Sequence, residues 1–253
     1  MNPRFAFDSL TSTRNPANAD RADDTVVDEL SLELVASTGV ETDIADAPLV
    51  DTERFAEIEG LFIPEGYEPN YAYPLLVWLS TVPVAEAEFA NRMRKVSDRN
   101  YVGVAVPVDP SLDPCDAADR VRDVVSAVRR EFHIHSERII LAGSGDGGAL
   151  ALEVALRNPG WFGGVVALGG VLPNSPQLLS QFNPLHGFRV LLGGNGSAAE
   201  WTGLRKFERV LWSAGVDVDL WKWSQAGAAP SAILRQLDRW VMAGVERESA
   251  VWV

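Results

Sequence analysis

The sequence predicts an α/β fold, a mostly parallel, doubly wound sheet with helices on both faces. Three observations carry that reading. Short runs of unbroken apolar residues recur along the chain, as in Tyr73–Leu79, Tyr101–Pro107 and Gly164–Leu168. Continuous apolarity marks a strand buried on both sheet faces. Segments of helical period separate these runs, and alternating strands and helices build a parallel sheet whose right-handed crossovers cover both sides. Finally, Ile139–Ala142 runs through a glycine-rich turn straight into the apolar helical stretch Asp146–Arg157.

Taken in order, residues 1–51 differ from the rest. The first fifty residues hold ten acidic and three basic residues, a net of -7 out of -13 for the whole chain. Asn15–Asp28 is polar, acidic and free of aromatics, a composition that favours a flexible extension. Docking of this segment on the domain or on a partner is the alternative, and Leu30, Leu32 and Leu34 alternate as in a short edge strand. Phe55–Phe62 reads as a strand closed by the turn Pro64-Glu65-Gly66. Tyr73–Leu79 is the first buried strand, Phe89–Asp98 a helix and Tyr101–Pro107 the next strand.

Asp116–Phe132 is an amphipathic helix, with Val121, Val124, Val125, Val128 and Phe132 on one face. Asp116 and Asp119 near its start and Arg129-Arg130 near its end oppose the helix dipole. Ser136–Ala142 is a strand and Asp146–Arg157 a helix, stopped by Asn158-Pro159-Gly160. Strands at Gly164–Leu168, Phe188–Leu192 and Val216–Trp223 then alternate with helices at Ala199–Ala214 and Ser231–Val245. One domain is expected over residues 52–248, with a short tail at 249–253.

Composition narrows the function. With 253 residues, 47% of them hydrophobic, the chain can bury a large core. Its negative charge repels phosphates and anionic lipid heads, which argues against nucleic acid as a partner. No run approaches the roughly 18 apolar residues of a membrane span. The N-terminus lacks the apolar core of a secretory signal. Cys115 is the one cysteine, so no intrachain disulfide can form, and a cytoplasmic location is expected. No metal site is expected, since His133-x-His135 stands alone without further ligand-spaced residues.

The turn is the most informative stretch. Gly143-Ser144-Gly145-Asp146-Gly147 has the layout of Gly-x-Ser-x-Gly, the nucleophile elbow that lifts a serine above a parallel sheet, but Gly145 fills the serine slot. Three segments together resemble the α/β-hydrolase superfamily, specifically its phospholipase/carboxylesterase type, which includes the acyl-protein thioesterases. They are Pro64-Glu65-Gly66-Tyr67 before Tyr73–Leu79, Arg138–Gly143 with Gly147-Gly148-Ala149, and Leu237-Asp238-Arg239-Trp240. The resemblance implies an α/β-hydrolase fold over nearly all of the chain after residue 52. It also implies four site features: an elbow serine, an acid after a later strand, a histidine before the last helix, and oxyanion donors. A serine hydroxyl needs a histidine to take its proton, and the histidine needs an acid to hold its tautomer. The oxyanion needs preorganised N–H donors.

This chain departs from all four. The nucleophile slot is Gly145. Where the family has His-Gly, the chain has Ser80-Thr81, the expected pocket or oxyanion loop together with Asp146. The acid slot falls on Ser197 or Ala198, with no carboxylate before Glu200. The histidine slot is Ala228. His133, His135 and His186 are the chain's histidines, and each precedes a strand, whereas ligands of open α/β sheets bind at the strands' C-terminal ends. They read as loop residues.

Two residues could still act at the turn. Ser144 neighbours the vacant slot and is expected to face the packing between strand and helix. Asp146 opens the following helix, where capping or first-turn duty is the plain reading. Gly143-x-Gly145-x-x-Gly148 also fits the dinucleotide fingerprint, but it lies mid-chain and lacks an acid at the end of the next strand. The tryptophans of the last third read mainly as core, with Trp221 and Trp223 on one strand face as candidates for a pocket rim.

The expected function is therefore a catalytically inactive hydrolase-fold protein, a pseudo-esterase, acting as a binding or scaffold module. The alternative is a carboxylesterase or thioesterase with a rearranged site using Ser144 or Asp146. A ligand- or nucleotide-binding domain is a third possibility. No cofactor is expected. Partner, ligand and oligomeric state are not legible.

Overall fold

A computed structural model describes residues 60–250 apart from 110, 171, 173–184 and 224–228. The acidic segment 1–51, the first part of the strand expected from Phe55, and Ala228 lie outside the described residues. The elements are β1 (Leu61–Phe62), β2 (Tyr73–Ser80), α1 (Glu86–Val96), β3 (Val102–Pro107), α2 (Pro114–Glu131), β4 (Ile134–Ser144) and α3 (Asp146–Arg157). A short 3-10 turn at Pro159–Trp161 follows, then β5 (Gly164–Leu168), β6 (Arg189–Gly194), α4 (Ala198–Ser213), β7 (Asp217–Lys222) and α5 (Ser231–Ala250).

Among the described residues the strands form one seven-stranded sheet in the order β1-β3-β2-β4-β5-β6-β7. Only β1 is antiparallel to its neighbour; the other pairings are parallel. Every residue of β2 and β5 is buried, which is why their sequences show no alternation. Side chains still alternate in space. Leu75, Val77 and Leu79 join one core layer with residues of α2, α3 and α4. Leu76 and Trp78 join the other layer with residues of α1 and α5. Helices thus cover both faces, the doubly wound arrangement expected from the sequence.

Local sequence sets several element ends. Asp113 caps α2, its carboxylate accepting from Cys115 N–H at 2.8 Å, with Pro114 in the first turn. That bond holds the exposed Asp113 carboxyl below its usual range. α5 is anchored to the sheet by polar contacts. Tyr101 Oη donates to Asp238 Oδ1 at 2.7 Å and Asn100 Nδ2 donates to the same oxygen at 2.9 Å. Farther along α5, the Trp240 indole N–H donates to Asp219 Oδ2 on β7 at 2.7 Å, while the Arg189 guanidinium lies 4.1 Å from the Trp240 ring.

The order of strands locates the ligand end. The chain passes from β2 outward to β3, then crosses back to place β4 on the other side of β2. Open α/β sheets bind ligands in the crevice at such a reversal, outside the carboxyl ends of the strands. Here those ends are Ser80 and Ser144.

Candidate functional site

The turn between β4 and α3 keeps the backbone of an elbow. Gly145 is the α3 N-cap at φ 58°, ψ -132°, a conformation that side-chain-bearing residues adopt only under strain. Its N–H donates to Leu168 O at 3.0 Å, and its carbonyl accepts from Gly148 and Ala149 N–H at 3.0 and 3.1 Å. The apex is thereby fixed from both strand and helix sides. A Cβ placed on Gly145 meets no atom within 4 Å among the described residues. Among the described residues the slot at the apex is open.

Around the apex the packing is the opposite. A Cβ on Gly147 would lie 2.5 Å from Leu79 O, and one on Gly148 2.9 Å from Gly143 O. The first turn of α3 is thereby pressed onto the end of β2 at Leu79 and onto β4 at Gly143. A Cβ on Gly170 would overlap Gly145 O. Sequence reading missed this supporting role of Gly170, although the pair Gly169-Gly170 directly after β5 was the signal available.

The side chains near the apex are few. Ser144 is half-buried at the end of β4. Asp146 is exposed at the first position of α3 and does not cap the helix; the N-cap is Gly145, which makes no side-chain bond. Asp146 instead carries its negative charge in the first turn of α3, at the positive end of the helix dipole.

The loop after β2 is turned in on itself. Ser80 is buried, its hydroxyl donating to Val82 O at 2.7 Å, and its carbonyl accepts from Val108 N–H at 2.8 Å. Thr81 is half-buried. Ser80 lines a mostly apolar pocket of about 150 Å³ together with Gly60, Pro83, Val84, Ala105 and Pro107. That pocket opens beside β3, and Gly145 does not line it.

The acid slot has a structural role. Ser197 is the N-cap of α4, its Oγ accepting from Glu200 N–H at 3.3 Å, and Ala198 is the first helical residue. The nearest carboxylate in sequence, Glu200, packs against the end of β6, 2.9 Å from where a Cβ of Gly194 would be. The histidine slot, Ala228, lies outside the described residues.

The three histidines lie at the opposite end of the sheet. Tyr73 N–H, at the start of β2, donates to His133 O at 2.9 Å, and His135 is in the second position of β4. His186 is exposed before β6, against Gly215. The structure brings none of them to the ends where Ser144, Gly145 and Asp146 sit. No group of three or more histidine, cysteine or acidic side chains is placed to hold a metal ion among the described residues.

Trp221 and Trp223 are both buried in the core layer of α1 and α5. Trp223 lies at the ligand end of the sheet. Its ring covers Gly193, which pairs with Leu168 beside the elbow. Its indole N–H is buried without a partner among the described residues.

Comparison with known proteins agrees with this geometry. Residues 115–192, which contain the elbow, match the phospholipase/carboxylesterase family. The "Putative esterase NocK" of Nocardia uniformis subsp. tsuyamanensis is 30% identical over 79 residues, 31% of this chain. The match spans 23% of that relative's length. SOBER1 of Arabidopsis thaliana superposes with a TM-score of 0.56 at 17% identity, over 69% of this chain and all of that one. A thermostable esterase gives a TM-score of 0.50 at 17% identity, over 76% of this chain and 57% of that one. Among the described residues no helix is long and apolar enough to cross a membrane. The sheet order and the elbow backbone give this chain an α/β-hydrolase fold, and residues 115–192 are similar to the phospholipase/carboxylesterase family.

Proposed function

We propose that the protein is a non-catalytic protein of α/β-hydrolase fold, a pseudo-esterase whose crevice serves to bind rather than to cleave. One observation carries the reading. The elbow apex is Gly145, held in the strained turn with no described atom within 4 Å of where its side chain would begin and no reactive atom of its own. Retained geometry around a missing hydroxyl fits a fold that has outlived its chemistry, since function resides in the site and not in the scaffold.

The remaining positions support it. Ser80 spends its hydroxyl within its own loop and Ser197 caps a helix. The histidines are at the wrong end of the sheet to take a proton from Ser144. Without that general base a serine hydroxyl is a weak nucleophile. The lone Cys115 is exposed and free, in keeping with a reducing compartment such as the cytoplasm. The ligand is a small molecule or a protein segment entering at the β2–β4 switch point.

The competing reading is an ester or thioester hydrolase acting through Ser144 or through the exposed Asp146. Purified full-length protein is assayed with p-nitrophenyl acetate and butyrate and with a fluorophosphonate probe. The proposal expects no turnover above the buffer rate and no labelling. Turnover or labelling that disappears in Ser144→Ala or Asp146→Asn overturns it in favour of the hydrolase.

A further inference from the structure

We propose that the outward face of α4 is the docking surface for the chain's own acidic, leucine-bearing segment Asp28–Val35. α4 is thinly covered for its length. It fully buries only Leu204 and Leu211 of sixteen residues, whereas α3 buries seven of twelve. Trp212 is 75% exposed. Trp201, Arg205, Arg209 and Trp212 follow one another at steps of four, four and three, which places them along one side of the helix.

This face is also positive on a negative protein. The Arg205 guanidinium lies 5.4 Å from the Trp201 ring and Lys222 Nζ, from the neighbouring β7, lies 5.3 Å from the same ring. Arg205 reaches Glu208 at 3.5 Å. Glu200, the other acid of α4, is turned onto Gly194. Lys206, Arg209 and Lys222 have no ion-pair partner among the described residues.

The segment Asp28-Glu29-Leu30-Ser31-Leu32-Glu33-Leu34-Val35 is complementary in both respects. In an extended chain Leu30, Leu32 and Leu34 fall on one side and Glu29 and Glu33 on the other. Leucines can cover the indoles while the carboxylates meet the cations. Tryptophan and arginine are the residues that most often dominate such contacts, and charge complementarity sets their register.

Reach permits the contact. β1, where the described chain begins, and β7, beside α4, are opposite edges of the sheet. Six strand spacings of about 4.8 Å separate them by roughly 29 Å. Residues 36–59, 24 in number, span about 27 Å as a flexible coil and up to roughly 80 Å when extended. Tethering supplies an effective concentration of about millimolar, so a short segment suffices. A second copy is a poorer occupant: a two-fold contact through this face sets its unpaired cations against their own equivalents.

Hydrogen–deuterium exchange on the full-length protein tests the docking. At about 0.01 M salt, where charges act over roughly 30 Å, amides 28–35 should exchange about tenfold more slowly than in Arg209→Glu/Trp212→Ala, a change at exposed positions. Protection should fade towards 1 M salt and stay constant with protein concentration. Glu29→Lys/Glu33→Lys should abolish it, and adding Arg205→Glu/Arg209→Glu to that variant should restore it. Absence of protection in the wild type, indifference to the α4 changes, or protection that rises with concentration and so reports a second copy overturns the proposal.

Discussion

Alanine at two glycines of one turn should have very different effects. At Gly143 the new Cβ would lie 2.5 Å from Gly147 C and 2.7 Å from Gly148 N, with Gly147 O closer still. All three are backbone atoms of the α3 first turn, so no side chain can rotate away. That turn is itself pressed against Leu79 O through Gly147. Overpacking against movable neighbours costs about 1–3 kcal/mol; against fixed backbone on both sides, about 3 kcal/mol or more is expected. At Gly145 no atom obstructs the Cβ, and the cost is the strain of φ 58° alone. Such strain is on the order of 1–3 kcal/mol, less about 0.4–1 kcal/mol gained by restricting the unfolded chain. For a chain of this size each kcal/mol moves the melting temperature by about 2–4 °C. Gly145→Ala should therefore melt about 0–10 °C below wild type, and Gly143→Ala should melt lower still or fail to accumulate as folded protein. Thermal unfolding followed by circular dichroism, with soluble yield as the second readout, decides the matter. Equal losses, or a larger loss at Gly145, would refute the claim that the apex is open while its flanks are closed.

Two further outcomes follow from the polar contacts. Tyr101→Phe removes the hydroxyl that donates to Asp238 at 2.7 Å and should cost about 1.5–3 kcal/mol, the usual range for a bond to a charged group. Burial, with Asp238 adding to it, holds the Tyr101 phenol far above its ordinary value. The neutral phenol is thus favoured by folding, so this contribution is complete below the unfolded pKa near 10 and is lost as pH rises above it. Urea titrations at pH 8 and 10.5 should show wild type losing more stability over that interval than Tyr101→Phe. Ser197→Ala removes the α4 cap and should cost roughly 1 kcal/mol by urea titration; no effect would mean that the hydroxyl has another role.

Much of the fold was legible because punctuation and burial coincide. α3 and β5 have the bounds that the sequence suggests, since the glycine turn and Asn158-Pro159-Gly160 stop both elements sharply. β4 was harder. It begins at Ile134, before the stretch His135, Ser136, Glu137 that is half-buried or exposed and looks like a loop. The register shift between Tyr73 and Leu75 opposite this stretch shows why a buried-strand pattern is missing there. α1 starts three residues ahead of Phe89, its first apolar anchor, because Glu86 and Glu88 occupy a wet first turn.

The site was legible only in outline. Residue types reveal that Gly145 carries no nucleophile, and position along the chain places the histidines at the entry ends of their strands, although His135 lies within β4 rather than in the loop expected for it. The open space above Gly145, the ring of Trp223 over Gly193 and the thin cover of α4 depend on which elements become neighbours across the sheet. No local pattern in the sequence reports those distances.

The most direct test of the central claim is covalent labelling of the full-length protein by a fluorophosphonate, read by intact mass and repeated with Gly145→Ser. An open but empty elbow predicts an unlabelled wild type. Gly145→Ser combined with Ala228→His should then show partial labelling, because the apex leaves space for the hydroxyl. A wild-type adduct mapping to Ser144 would contradict the account and identify a working, rearranged hydrolase.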